Sequence, residues 1–367
     1  MKDVYFFTGY PGFLASRLTQ QLIFDHDQEI EHIYLLTLPY LKEMAEKQIK
    51  TLIKKVPLDH DFFTIVEGDI TKQDLNIEQE INDILRKNVT HVFHLAAIYD
   101  LAVPEDAAYK VNVEGTRNVN QWVTTLENLD RYIYFSTAYV AGKREGRIFE
   151  HELIEGQSFK NHYELTKYQA EILVKQLMLK GVPTTIIRPG VVKGNSKSGE
   201  TSKFDGLYFM LNFLDHLRPL PTIPYFGDGK AEGNFVPADY VLRAASYLSI
   251  HPIGEGKTYH LTDPHPYKMW ELQKMICEYY LGKTPKGKIP VPIAKAPLLL
   301  SSIRKWLKVE PEAMDYFVYE SSYDTSQATA DLKGSGITCP DLKDTLGSMI
   351  QFYRKYKDDK TRHIEIN

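Results

Sequence analysis

Cysteine is nearly missing from this 367-residue sequence: Cys277 and Cys339 stand far apart, and neither belongs to a Cys-x-x-Cys pair. That excludes a disulfide framework and a thiolate-based zinc or redox motif, and it fits a reducing compartment. The 12 histidines are scattered without paired ligand spacing, so a zinc enzyme is not expected and no metal site is assigned. No apolar run approaches the ~20 residues that a membrane-spanning helix needs, which excludes a transmembrane segment. Met1-Lys2-Asp3 leads straight into Val4-Tyr5-Phe6-Phe7, too short for the apolar core of an export signal, and a cytoplasmic protein is expected. An excess of positive charge is lacking too: 44 Lys and Arg oppose 48 Asp and Glu, for a formal net charge of -4, so nucleic acid is not an expected partner. The lysines from Lys42 to Lys55 are interrupted by apolar residues and read as a solvated helix face.

What is present is ordinary globular composition, 43% hydrophobic and 25% charged, over a length that holds one enlarged domain or two. Short β-rich runs alternate with longer stretches whose apolar residues recur at helical spacing. Strands are predicted over Val4 to Thr8, His32 to Leu36, Phe62 to Glu67, Thr90 to Leu95, Arg131 to Ser136, Thr184 to Arg188 and Lys257 to Leu261. Helices are predicted over Leu14 to Phe24, Leu41 to Ile53, Ile77 to Leu85, Glu105 to Leu126 and His162 to Leu179. This order points to an α/β fold with a doubly wound parallel sheet of seven strands, of the Rossmann type. From Val191 the rhythm breaks, with Pro and Gly punctuation around Asn195 to Glu200 and Pro219 to Gly229. Asn234 to Leu248 is helix-forming and leads back to the last strand. The chain is therefore expected to divide into a main body, residues 1–190 and 234–262, and a smaller, discontinuous C-terminal lobe, 191–233 and 263–367. In the tail, the apolar stretch Ile293 to Leu307 carries Lys295, Arg304 and Lys305; it reads as a wall over a cleft or as a segment lying on a membrane surface.

Thr8-Gly9-Tyr10-Pro11-Gly12-Phe13-Leu14-Ala15 follows the first strand and opens the first helix, the context that a dinucleotide fingerprint needs. Gly9 permits the tight turn, Gly12 lets the backbone approach a diphosphate, and Ala15 allows close helix packing. Free N–H groups at the helix start would hold the diphosphate, although a tight turn without ligand would carry the same letters. An acid after the second strand selects NAD and an Arg nearby selects NADP; Leu35-Leu36-Thr37-Leu38-Pro39-Tyr40 offers neither. In Gly68-Asp69-Ile70, after the third strand, Asp69 is placed either to accept a hydrogen bond from an adenine amino group or to cap a turn.

Tyr163 and Lys167 lie four residues apart on one face of a predicted helix. An adjacent ammonium favours the phenolate and lowers a phenol's ordinary pKa, which makes the pair a usable proton donor and acceptor. Thr137 ends the fifth strand at the edge where open α/β sheets bind ligands, and can bond a substrate oxygen or simply cap the strand. The small residues of Leu95-Ala96-Ala97 leave room for a ribose and nicotinamide. Asn112 sits mid-helix, where an amide is not favoured, and reads as a helix-bending water site feeding a proton relay or as a solvent-facing residue.

Taken together, these residues resemble the extended short-chain dehydrogenase/reductase superfamily over essentially the whole chain, with Arg188-Pro189-Gly190-Val191-Val192 completing the order. The resemblance implies Tyr163 as acid/base, Lys167 on the nicotinamide ribose, Thr137 orienting the carbonyl, Asn112 supporting a relay water, and Pro189, Gly190 and Val191 bordering the nicotinamide. It likewise implies cofactor contacts from Thr8 to Leu14, Asp69, Ile70 and Leu95 to Ala97. Ala15 departs from the usual third glycine, and Val140-Ala141-Gly142 from the usual tyrosine. Gly12-Phe13-Leu14, Ser136 to Val140, the YELTKYQAE run from Tyr163 to Glu171, RPGVVKGNSKSG from Arg188 and NFVPADYV from Asn234 are most similar to the male-sterility-type fatty acyl-CoA and acyl-thioester reductases. That likeness implies a reductase drawing hydride from NADP(H) or NAD(H), with NADP(H) favoured, and acting on a carbonyl or an acyl thioester carried by CoA or an acyl carrier protein. Nucleotide-sugar epimerases, dehydratases and sterol-like alcohol dehydrogenases of the same superfamily are the alternative reading, and a redox-sensing binding protein without turnover a third. Related proteins often form homodimers through the helices that correspond to Glu105 to Leu126 and His162 to Leu179.

Overall fold

In a computed structural model, which describes residues 2–54, 60–100 and 103–363, all seven apolar runs become strands of a single sheet. Lys55, at the end of the lysine-rich stretch, and the last four residues of the tail lie outside the described residues. The strands are β1 (Asp3–Thr8), β2 (Ile30–Thr37), β3 (Phe63–Glu67), β4 (His91–His94), β5 (Arg131–Phe135), β6 (Thr184–Pro189) and β7 (Lys257–Leu261). Their order across the sheet is β7-β6-β5-β4-β1-β2-β3, every neighbouring pair parallel.

Alternation along each strand feeds two cores. Tyr5 and Phe7 face one side with Ile33, Leu35, Phe93, Ile133 and Ile187. Helices α1 (Phe13–His26), α2 (Lys42–Ile53) and α7 (Ala238–Ile250) cover that face. Val4 and Phe6 face the other side with Val66, Val92, Tyr132, Tyr134 and Ile186. There α3 (Gln79–Asn88), α4 (Gly115–Val123) and α5 (His162–Leu179) close the layer. Phe7 stacks on Phe93 at 4.5 Å between ring centres and Phe6 lies 4.5 Å from Trp122, so β1 is pinned from both sides.

Two helices depart from the predicted spans for local reasons. Glu105 to Leu126 is not one regular helix: Glu105–Ala108 passes into a π-helical turn, Tyr109–Glu114, before α4. The extra residue in that turn points Asn112 inward, to 1% exposure, which removes its solvent-facing reading. Ile293 to Leu307 breaks into Val291–Lys295, Ala296–Leu299 and Ser301–Leu307, with Pro292 and Pro297 at the starts of the first two.

A separate core belongs to α6 (Leu207–Leu217), α8 (Met269–Leu281) and α9 (Leu342–Tyr356), built from Phe204, Tyr208, Leu211, Leu272, Leu346 and Tyr353. Short parallel ladders tie it to the sheet: Val191–Lys193 with Phe235–Pro237, and Gly146–Ile148 with Ser321–Tyr323. Among the described residues no helix is long and apolar enough to cross a membrane.

One buried ion pair joins α5 to β6. Arg188 donates to Glu171 from Nε at 3.0 Å and from Nη2 at 2.6 Å, and also to the carbonyls of Glu150 and Glu152. Ser136 Oγ donates to the other carboxylate oxygen. Both charges are shut away from solvent, so each depends on the other. Glu171→Gln should strand the Arg188 charge and cost about 3–5 kcal/mol of stability in urea unfolding; an unfolding midpoint equal to wild type would refute that dependence.

Candidate active site

Because β1 has β2 on one side and β4 on the other, the chain winds away from it in both directions, and a crevice opens at the carboxyl ends of β1 and β4. The turn after β1 fills the near side. Gly9 has φ +87°, and a Cβ on it would stand 2.7 Å from Ala96 N and 2.8 Å from Leu95 C. A Cβ on Gly12 would meet Gly9 O at 2.6 Å, the oxygen that accepts Gly12 N at 2.8 Å. Gly12 is thus required first by closure of the turn itself. Tyr10 is buried in the core, and Pro11 O accepts from Gln48 Nε2 at 3.1 Å. The start of α1 carries no side-chain cap and no acid in its first turn. Its N–H groups at Phe13, Leu14 and Ala15 can therefore serve a diphosphate, and the cradle fits a dinucleotide. Ala15 is packed against the sheet at 2% exposure, the place of the usual third glycine.

At the end of β3, Asp69 Oδ1 accepts from Thr71 N at 2.8 Å, the turn-capping alternative of the two weighed for it. Ile70 is buried against Gly115, whose missing Cβ leaves it room. A residue that the sequence reading passed over, His94, links the first turn to the π-helical turn. Thr8 Oγ1 lies 2.7 Å from His94 Nδ1, and His94 Nε2 lies 3.0 Å from Thr116 Oγ1, which donates to Asn112 O at 2.6 Å. With the Thr116 proton committed, His94 donates from Nε2 and accepts at Nδ1 from Thr8. Burial, aided by the charge of Lys167, holds its pKa near 3, so it stays neutral. Thr8 Oγ1 in turn accepts from Ala96 N at 3.2 Å.

Asn112 uses its whole amide on protein. Oδ1 accepts from Ile98 N at 2.8 Å, and Nδ2 donates to Ile98 O at 3.0 Å and to Thr166 Oγ1 at 3.0 Å. Together with the Thr116 bond to its carbonyl, this makes it a brace between the segment after β4 and α5.

Tyr163 and Thr137 are brought near enough for the Thr137 hydroxyl to favour the phenolate, and that hydroxyl accepts from Tyr139 N at 3.3 Å. Lys167 is not bonded to Tyr163: its Nζ donates to Tyr134 Oη at 2.8 Å and to Phe135 O at 2.7 Å, 4.3 Å from the Tyr134 ring centre. The expected lowering of the phenol's pKa is therefore reversed. Burial pushes Tyr163 up to about 12 against the opposing influence of the Thr137 hydroxyl, and burial drives Lys167 down to about 7 despite the charge of Glu171. Desolvation, which disfavours both charged forms, outweighs the neighbours. The pattern that carries Tyr134 is an ordinary buried strand, so nothing in it marked this phenol.

Pro189 ends β6 opposite Leu261. A Cβ on Gly190 would lie 2.6 Å from Asn234 O, the acceptor of Val191 N at 2.9 Å. Beside this corner the Asn234 amide and the Thr262 hydroxyl are buried with no partner among the described residues.

The lobe reaches the same place through Tyr316. Its hydroxyl donates to Glu164 Oε1 at 2.9 Å, next to Tyr163, and accepts from Asn161 Nδ2 at 3.3 Å at the cap of α5. Glu164 also pairs with Lys160 at 3.0 Å, whose ammonium sits over the rings of Tyr139, Tyr316 and Tyr319. Tyr316 lies 152 positions from Glu164 and carried no signal at the sequence level.

The depressed Lys167 pKa has a thermodynamic consequence. Between about 7 and the ordinary 10.5 the unfolded chain holds a proton that the folded one lacks, so stability from this group rises with pH and is lost as pH falls through 7. Wild type should gain stability relative to Lys167→Met on going from neutral to mildly alkaline buffer; parallel denaturation curves at both pH values would contradict the assignment.

Comparison with known proteins places the molecule. The NAD-binding family described as Male sterility protein matches residues 7–245. The peptide synthetase FrzA of Cladobotryum sp, described as a non-canonical nonribosomal one, is 25% identical over 271 residues, 71% of this chain and 26% of its own. Fatty acyl-CoA reductase wat of Drosophila melanogaster is 24% identical over 275 residues, 65% of this chain and 52% of its own. The chain thus spans about a quarter and about half of the lengths of these two relatives. The terminal R domain from the myxalamid PKS-NRPS biosynthetic pathway superposes with a TM-score of 0.78 at 24% identity, covering 98% of this chain and 92% of that one, and so shares its fold. The chain belongs to the NAD-binding male sterility protein family of extended short-chain dehydrogenase/reductases.

Proposed function

We propose that this chain reduces an acyl thioester, delivered on CoA or on an acyl carrier protein, with Tyr163 as the proton donor and NADP(H) as the favoured cofactor. The observation that carries this reading is the juxtaposition of Tyr163 and the Thr137 hydroxyl at the carboxyl edge of the sheet, beside a glycine cradle that fits a dinucleotide. Likeness to a peptide synthetase and to a fatty acyl-CoA reductase favours a thioester over a sugar. The cofactor preference rests on the likeness to acyl-thioester reductases alone, since the stretch around Leu38 holds neither a carboxylate for a ribose 2′-OH nor an Arg for a 2′-phosphate.

The bound dinucleotide supplies hydride. Residues Thr8 to Leu14 hold its diphosphate, with Asp69, Ile70 and Leu95 to Ala97 along the adenosine and ribose, and Pro189 to Val191 beside the nicotinamide. Lys167 has one N–H left after Tyr134 and Phe135, and offers it to the nicotinamide ribose. Thr137 fixes the thioester carbonyl oxygen against Tyr163, whose neutral phenol gives that oxygen its proton as the carbonyl carbon is reduced. The resulting hemithioacetal releases the thiol and leaves an aldehyde. Asn112 acts as a positioning residue for α5. The lobe of residues 191–233 and 263–367 supplies the wall against the acyl chain.

Tyr163→Phe should bind NADPH as wild type does, by fluorescence titration, and lose thioester-dependent NADPH oxidation by ~10²–10⁴-fold. Undiminished oxidation would remove Tyr163 from the chemistry. Conversion of nucleotide sugars without net cofactor consumption would replace the thioester reading with the epimerase one.

A further inference from the structure

Between Glu278 and Glu310 the chain carries seven Lys and Arg and no acid, although its overall formal charge is -4. This stretch forms the three short helical pieces from Val291 to Leu307. Their inner side is covered: Leu298 and Leu307 join Phe209, Phe226 and Met314 in one cluster, with Ile303 and Ala294 against it. The outer side is apolar as well and is left bare. Ile293 is 63% exposed, Leu299 66%, Leu300 59% and Trp306 57%. Helical segments that are apolar all round belong where both sides are covered. Four large apolar side chains within fourteen positions exceed the scatter of single exposed residues on an ordinary surface.

We infer that this face docks on an anionic lipid bilayer. The charges decide the occupant. Lys288 and Lys295 are paired with Asp228 and Asp315, whereas Lys286 and Lys305 form no ion pair among the described residues. Lys283 caps the carbonyls of Arg218 and Leu220 and keeps its charge beside Leu220, itself 44% exposed. A purely apolar partner would leave these ammonium groups facing hydrocarbon. Anionic headgroups accept them while leucine and isoleucine enter the acyl layer, the long lysine stems reaching back to the interface. Trp306 is held edge-on against His216 at 4.9 Å, with its indole outward, the ring type that settles at headgroup level. Such a helix lies in the interface and spans nothing.

Co-sedimentation of the whole chain with phosphatidylcholine vesicles, with and without phosphatidylglycerol, tests this. Binding should be at least ~tenfold stronger on the anionic vesicles and should fall with added salt. Leu299→Ser with Leu300→Ser, and separately Lys305→Glu, should each weaken it about tenfold with an unchanged thermal midpoint. Equal binding to neutral vesicles, or full binding by both variants, would overturn the proposal. So would wild-type chain that ignores vesicles but halves in apparent mass when the leucines are replaced, which would assign the face to a second copy. Capture of polyglutamate without vesicle binding would assign it to an acidic protein and would overturn it equally.

Discussion

Seven strands running in one direction, each buried on both faces, put every strand's carboxyl end at one edge, and the candidate chemistry is confined to that edge. Loops after β1, β4, β5 and β6 converge there from positions more than 180 residues apart. The convergence is tight where it matters. Gly9 lies so close to the end of β4 that a methyl group would collide with backbone at 2.7 Å, which welds the first turn to the fourth strand. A side chain at that position would push β4 and the turn apart and open the crevice from its floor.

Inside that edge, desolvation is the dominant electrostatic influence. His94, Tyr163 and Lys167 are all displaced toward their uncharged forms, each against or beyond the pull of a neighbour. Beside them Glu171 and Arg188 are bound to each other, two guanidinium nitrogens and the Ser136 hydroxyl satisfying the carboxylate directly. The result is a neutral phenol ready to give a proton and a lysine near its midpoint at neutral pH. An anionic ligand arriving beside Lys167 favours the ammonium, so ligand and charge are coupled by burial. The lobe is tied to the same machinery: the Tyr316 hydroxyl bonds the residue that follows Tyr163, and the Tyr139 ring, two positions after Thr137, packs against Tyr316 at 4.9 Å. A shift of the lobe therefore reaches both groups through direct contacts.

All seven strands were legible as runs, and four of the five helices expected in the first half as periods, since burial on two faces forces continuous apolar runs and burial on one side forces helical spacing; Glu105 to Leu126 is the exception. Asn112 was legible as an oddity but not in its consequence, because a π-helical turn depends on which partners meet the amide, here Ile98 and Thr166. The apolar tail segment could be read two ways, and the structure divides it between them: one side walls the lobe, the other stays bare.

By itself the chain's order of residues determined the doubly wound sheet, the glycine turn, and the pairing of Tyr163 with Lys167 on one helix, all of them local or periodic properties. Tertiary structure alone decided that Lys167 bonds Tyr134, that Thr137 stands beside Tyr163, that His94 bridges Thr8 to Thr116, and that Tyr316 grips Glu164. Those contacts join residues from 22 to 152 positions apart, or, for the phenol, depend on how far burial outweighs a nearby charge. Neither distance nor dielectric is written in spacing; both exist only once the strands have closed.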